Sequence, residues 1–551
     1  MKRRGADWAA AGMLALLAWL VILPLTFVLI EALRDGHGWS AVGIRQFLAE
    51  PREWRALWSS LWLSVASVVG SAVIGVPLAL LTARVRFPGS RIVVALLSIP
   101  AVLPPLVGVL AFLFLYGETG FAARLVQAVT GLEEAPWRLQ GSAAVLLVHV
   151  STMYVYFFLF ARAGLARLDG SVYEAAASLG AGRWRTFRRV VVPLLRSSLV
   201  GASLLVFMTS LASFSAPYLF GGNFRVMPTQ IFTTKLNGDD RLAMVETLSL
   251  TLLALGALGL LRRAERKTTV PMVGKGVAPA PAPSRSRLAQ IGLTVAGWAA
   301  ALWLAAPALT LVVVSLVPRG TWTIEPIPPV YSLHNYVTLL RDPLRLGPIL
   351  NSGWMATVAT LGAIGLALGG SWLAVRHRVR LGGWLTGIMT LPWAVPATVF
   401  AIALATAFSV NSPWVGRVVL IGTPAILPIA YLVRNLPITG RAILAGVRQL
   451  DPSLEEAAQT MGVGRWGVFR RVTLPLLRPA IVAGGCLAFV TAFGDFVTSI
   501  LLYTYDTRPI SLEILASLRQ SDVGVAAAYG VMLMTIGGLV FYLAGARSDS
   551  A

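Results

Sequence analysis

Apolar residues in this chain gather into runs of about 20, divided by short stretches rich in Arg, Gly and Pro, without the alternating pattern of a membrane barrel. Runs of that length suit helices crossing a hydrocarbon core, because in lipid every backbone polar group must be bonded within its own segment. The pattern predicts twelve spans: Trp8–Leu33, Leu57–Thr82, Ile92–Tyr116, Ser142–Ala161, Leu199–Phe220, Val245–Leu261, Ile291–Val317, Leu350–Val375, Trp384–Phe408, Val418–Val433, Ala480–Leu502 and Val525–Leu543. The first follows the short basic stretch Met1–Asp7 and is expected to be retained, since no small-residue cleavage site follows it.

Composition agrees with an integral membrane chain. A mean hydropathy of +0.74, with 56% hydrophobic and 13% charged residues, excludes an ordinary soluble domain. A net charge of +22 would otherwise suggest nucleic acid, yet the basic residues are dispersed among short loops, so no nucleic-acid partner is expected. With the N-terminus inside, 31 of the 46 Lys and Arg fall on the cytoplasmic side, as the positive-inside rule requires. Both termini are then cytoplasmic. Cys486 is the single cysteine, which leaves no intramolecular disulfide and no cysteine metal cluster.

The polar segment Asp169–Arg196 returns as Asp451–Arg478, 282 residues later and without a gap, with seventeen of twenty-eight positions identical. Each copy carries a Glu followed by two Ala (Glu174, Ala175 and Ala176; Glu456, Ala457 and Ala458). Gly180 and Gly462 lie six residues after the Glu, and Pro193 and Pro475 nineteen after it. Good helix formers, then Gly, predict a short helix that breaks into an elbow before the next span. A second set of matches, at an offset of 292, pairs Ser60 and Gly70 with Ser352 and Gly362, Arg84 with Arg376, and Pro100 and Pro104 with Pro392 and Pro396. The chain therefore reads as two six-span repeats, residues 1–263 and 290–551, joined by a cytoplasmic Pro/Ala/basic linker, 264–289. An even number of spans per repeat makes them parallel, related by an axis along the membrane normal.

Candidate chemistry is sparse. No phosphate loop occurs: Val273–Gly276 lacks both the spacing and the hydroxyl residue. No Gly-x-Ser-x-Gly elbow or His-Glu-x-x-His helix occurs either, so the chain is not expected to be an enzyme. Asp495 falls within the eleventh expected span, and its counterpart at offset 282 is Ser213. An ionisable group there reads as a cation-attracting or gate residue, or as one end of an interhelical hydrogen bond. Pro100, Pro104, Pro392 and Pro396 predict matched bends in the third and ninth spans, serving either a gate or fixed packing. His149 reads as a satisfied packing histidine, and Glu246 as facing headgroups or solvent.

The duplicated polar island resembles the EAA loop of permease subunits in ATP-binding-cassette importers. With the whole repeat, the chain is similar to the fused permeases of ferric-iron uptake, whose relatives serve thiamine, phosphonates and polyamines. That resemblance implies an all-α integral membrane protein of about twelve transmembrane helices, with Glu174, Ala175, Ala176 and Gly180 forming one coupling elbow and Glu456, Ala457, Ala458 and Gly462 the other. It implies two copies of an ATPase subunit carrying ATP and Mg, no cofactor on this chain, and a periplasmic or surface-tethered substrate-binding protein. The expected location is the bacterial cytoplasmic (inner) membrane, in contact with its lipid. The segment from Phe214 to Asn237 resembles the region after the fifth span in iron-type permeases, although no oxygen-ligand cluster for ferric iron is visible. An ion-coupled secondary transporter is the alternative of another class; it leaves the duplicated elbows unexplained.

Overall fold

The computed structural model describes residues 2–35, 38–268, 286–321, 327–377, 379–409 and 411–548. Among them the regular elements are helices and a two-residue antiparallel ladder pairing Arg34 with Trp39 and Asp35 with Gly38. The linker expected over 264–289 lies largely outside the described residues.

Among the described residues ten helices are long and apolar enough to cross a membrane, or eleven if two helices bent by 111°, Gly382–Ala394 and Ala397–Ala407, are taken as one broken span. The count then falls one short of twelve, at the expected tenth span. The expected tenth span, Val418–Val433, does not form as one helix: helix starts only at Ile426 and runs to Gln449. That helix carries Arg434, Arg441 and Arg448, so it fails as a purely apolar span although its N-terminal half is well buried. The expected third span is split. Helix Ser90–Ser98 and one 3-10 turn, Ile99–Ala101, precede a fresh helix, Pro105–Tyr116.

Prolines stand at the breaks of the expected third and ninth spans. Pro104 has ψ 141° and Pro396 ψ 150°, extended values that no α-helix accommodates, and each stands immediately before a new helix. The matched proline pairs therefore end one helix and start another instead of bending a continuous one.

The helices assemble into two compact units. One comprises Glu50–Gln230 and Leu252–Ser332; the other comprises Met1–Ala49, Ile231–Thr251 and Leu333–Ala551. In the first, Pro51–Arg84 packs along Gly141–Leu165 and Val192–Leu211, and Arg287–Ser315 packs on Ser90–Ser98 and Pro105–Tyr116. In the second, Pro343–Val375 packs along Ile426–Gln449 and Leu474–Phe493, and Leu23–Ala32 lies on Ala397–Ala407. The opening helix of each sequence repeat thus belongs to the compact unit that carries the rest of the other repeat.

Two repeated residues now have a physical reason. A Cβ on Gly70 would run into Val150, and one on Gly362 into Leu432, so each glycine lets its long helix close on the neighbour. Ser60 Oγ accepts the backbone N–H of Met227 at 2.8 Å, and Ser352 Oγ that of Ile510 at 2.9 Å. Both N–H groups open the short helices Met227–Leu236 and Ile510–Arg519 and would lack an intrahelical partner, so each serine satisfies an orphan donor.

Candidate functional site

The two elbows fold alike. The helices are Gly170–Ser178 and Pro452–Thr460. Each is started by an aspartate: Asp169 Oδ1 accepts from the Ser171 N–H at 3.0 Å, and Asp451 Oδ1 from the Ser453 N–H at 2.9 Å. The Ser453 N–H holds the Asp451 carboxyl below its ordinary range. Each helix ends at the repeated glycine, which takes a left-handed φ of +71° at Gly180 and +83° at Gly462. The chain then closes back on the helix, Ala181 N–H to the Ala176 carbonyl at 3.0 Å and Val463 N–H to the Ala458 carbonyl at 3.2 Å. Those two bonds are the six-residue closure that a left-handed cap permits, and a Cβ would oppose the required φ.

Beyond each elbow a single helical turn, Arg183–Thr186 or Arg465–Val468, leads into a π turn, Phe187–Val191 or Phe469–Thr473. Pro193 and Pro475 follow directly, in the first turn of the long helices Val192–Leu211 and Leu474–Phe493. A proline there has no N–H for the preceding turn, and a widened turn absorbs the missing bond.

Glu174 and Ala175 are exposed on the first elbow, with Ala176 turned inward; on the second, Glu456 and Ala457 are exposed and Ala458 is half-buried. The most exposed large apolar side chains of the elbows are Leu179 and Trp184 in one and Met461 and Trp466 in the other. They are 86% and 72% exposed in the first, 84% and 73% in the second, and they occupy the same two positions of the repeat. The motif reading passed over them. Their signal was available: large apolar residues recurring at one offset inside a polar island.

The second pair of candidate residues, Ser213 and Asp495, lies where the fifth and eleventh expected spans are interrupted. Helix Val192–Leu211 stops before Ser213 and a short helix, Ser215–Phe220, follows; helix Leu474–Phe493 stops before Asp495 and Val497–Leu502 follows. Asp495 caps that short helix, its Oδ1 accepting from the N–H groups of Thr498 at 2.9 Å and Ser499 at 3.1 Å. Its other oxygen pairs with the Arg434 guanidinium and accepts from Thr498 Oγ1 at 3.3 Å. The carboxylate is therefore a cap and half of a cross-helix ion pair, with its charge already met by a cation.

In the other repeat His149 occupies the equivalent region. Its Nε2 lies 2.8 Å from Ser213 Oγ, and its Nδ1 lies 3.0 Å from Ser67 Oγ and 3.1 Å from Ser210 Oγ. The imidazole is fully enclosed, as a satisfied packing histidine should be. Glu246 departs from expectation: it is buried and accepts from Thr234 Oγ1 at 2.8 Å, because the short helix Met227–Leu236 covers it. Pro104, Pro392 and Pro396 are buried and Pro100 half-buried at their helix breaks. Among the described residues no group of three or more His, Cys, Asp or Glu is placed to hold a metal ion.

Comparison with known proteins matches this chain twice to one family, described as binding-protein-dependent transport system inner membrane component, over residues 75–270 and 366–548. A probable ABC transporter permease protein of Sinorhizobium fredii is 28% identical, covering 96% of this chain and 95% of its own length. A ferric transport system permease protein of Actinobacillus pleuropneumoniae is 26% identical over 96% of this chain and 76% of its own length. A molybdenum transport system permease protein of Mycobacterium tuberculosis is 33% identical, covering 38% of this chain and 80% of its own length.

Proposed function

The chain belongs to the family of binding-protein-dependent transport system inner membrane components, and from that premise we propose that it is the fused permease of a ferric-iron importer driven by two copies of a separate ATPase. As a permease of an ABC importer it is a multi-pass membrane protein whose task is passage of cargo, with two permease repeats in one polypeptide. In this reading the repeats are residues 1–263 and 290–551, both termini are cytoplasmic, and the membrane is the bacterial inner membrane.

The duplicated elbow carries the ATPase assignment. Each elbow presents an exposed Glu, small Ala side chains that allow close seating, and a projecting apolar pair, Leu179 with Trp184 or Met461 with Trp466. A left-handed glycine cap and an aspartate N-cap fix that surface at both ends, so force applied to it reaches the long helix that follows. The ATPase holds the ATP and Mg, and this chain binds no cofactor. Two like elbows fit two like ATPase subunits, and an ion-coupled transporter has no use for them.

Iron as cargo is supported by likeness, over 96% of this chain and 76% of the relative, to a permease named for ferric transport. With Asp495 met by Arg434, the carboxylate is poorly suited to ligate a hard cation, so selectivity is assigned to a periplasmic or surface-tethered binding protein. Thiamine, a phosphonate or a polyamine is the alternative cargo. Uptake of radiolabelled ferric iron is measured in cells lacking the chain, under iron limitation and with other iron systems removed. Restoration by the wild type, but not by Glu174→Arg with Glu456→Arg at equal membrane levels, is the expected result. Unchanged iron uptake in the deletion overturns the cargo, and normal uptake by the double variant overturns the coupling role.

A further inference from the structure

One arginine ties each elbow helix to the end of a long helix, and the two ties use different chemistry. In the repeats Arg84 corresponds to Arg376, whereas Tyr173 corresponds to Glu455. Arg84, the last residue of Pro51–Arg84, lays its guanidinium over the Tyr173 ring, 3.9 Å from the centroid. Arg376 caps the end of Pro343–Val375 and pairs with Glu455 at 3.2 Å. Arg376 also donates to the Leu450 carbonyl at 3.1 Å, just before the elbow, and Glu455 accepts from Thr473 Oγ1 at 3.2 Å on its return arm. This one pair therefore joins the long helix, both sides of the elbow helix and the turn that leads away from it.

The surroundings differ as well. Tyr173 sits in an apolar cluster with Leu80, Ala83 and Phe187 against Leu165, Leu168, Val191 and Leu195. Glu455 and Arg376 instead form part of the wall of a cavity of about 980 Å³, together with Trp372, Trp466 and Phe469. Their side chains are only 16% and 12% exposed, so their attraction is less screened than that of a surface pair.

We propose that Arg84 and Arg376 are positioning residues that make each elbow and the long helix before it one mechanical piece. A push on an elbow then reaches two long helices, the one that follows it in sequence and the one its arginine holds. The proposal rests on the elbows being the docking points of an ATPase. Neither arginine touches ATPase or cargo in this scheme; each acts through Tyr173 or Glu455.

The test follows the distance between Gln459→Cys and His377→Cys, spin-labelled in the full chain carrying Cys486→Ala and purified with its ATPase, using double electron–electron resonance. The tie requires one narrow distance that is the same with and without ATP and vanadate. Glu455→Ala is expected to lose the narrow peak, and Glu455→Tyr, which copies the first tie, to keep it. A narrow peak in Glu455→Ala, a Glu455→Tyr peak as broad as that of Glu455→Ala, or a nucleotide-dependent shift in the unaltered tie overturns the proposal. Failure of the wild type to retain an ATPase on purification would instead remove the docking reading, while the distances still report on the tie.

Discussion

The two helix breaks at Ser213 and Asp495 solve one structural problem with opposite electrostatics. Each is lined by buried polar side chains that bond to one another. The first repeat supplies His149 with Ser67, Ser210 and Ser213, all formally neutral. The second replaces His149 with Tyr431, Thr152 with Arg434 and Ser213 with Asp495. Tyr431 still bonds within the break, to Ser499 Oγ at 2.7 Å, but the main connection is an ion pair. Repeated backbone geometry therefore leaves the side-chain chemistry free to diverge, provided that each buried group keeps a partner.

The ion pair should be the more fragile arrangement. Arg434→Ala leaves a buried carboxylate without its cation and is expected to cost about 3 kcal/mol or more, read as a large fall in thermal stability in detergent. Truncation of the equivalent Thr152 should cost about 1 kcal/mol, since its hydroxyl bonds within its own helix, to the Val148 and His149 carbonyls. Similar losses for both would remove the distinction between the centres. Transplantation sharpens it: Ser213→Asp alone should destabilise the first centre by about 2 kcal/mol, and Ser213→Asp with Thr152→Arg should recover part of that loss, in the same melting assay. No recovery would mean that the first break cannot seat the pair.

Smaller effects follow at the neutral centre and at the elbow. His149→Ala deprives three serine hydroxyls of a partner and should cost about 1–2 kcal/mol, less than Arg434→Ala because no charge is stranded. Asp451 gives the smallest change. Its carboxyl is held below the ordinary value, so its capping contribution is present above the unfolded carboxylate pKa and is lost as pH falls through the folded one. Amide exchange of Pro452–Thr460 should therefore speed up on acidification, and Asp451→Asn should keep the cap while abolishing that pH dependence.

Much of the elbow was legible because its signals are local. Asp before the helix, Glu-Ala-Ala within it, Gly at its end and Pro before the next helix each dictate backbone geometry within a few residues. The proline pairs were legible for the same reason, although a complete break replaces the expected bend. The ion-pair partner of Asp495 was not, since Arg434 is 61 residues away. The burial of Glu246 was not either, because a separate short helix covers it. Hydropathy misjudged Val418–Val433 because burial within a helical unit and passage through lipid both favour apolar residues.

The sequence by itself determined the membrane class, the two repeats and the conformation of both elbows, because hydrophobic run length and local capping act over a turn or two of helix. Only the tertiary structure decided that the opening helix of each repeat packs in the unit holding the rest of the other. It also decided that Arg84 meets Tyr173 where Arg376 meets Glu455, and that Asp495 is neutralised where Ser213 stays neutral. Those outcomes depend on which side chains long-range packing brings within a few ångströms, and spacing along one chain does not encode that proximity.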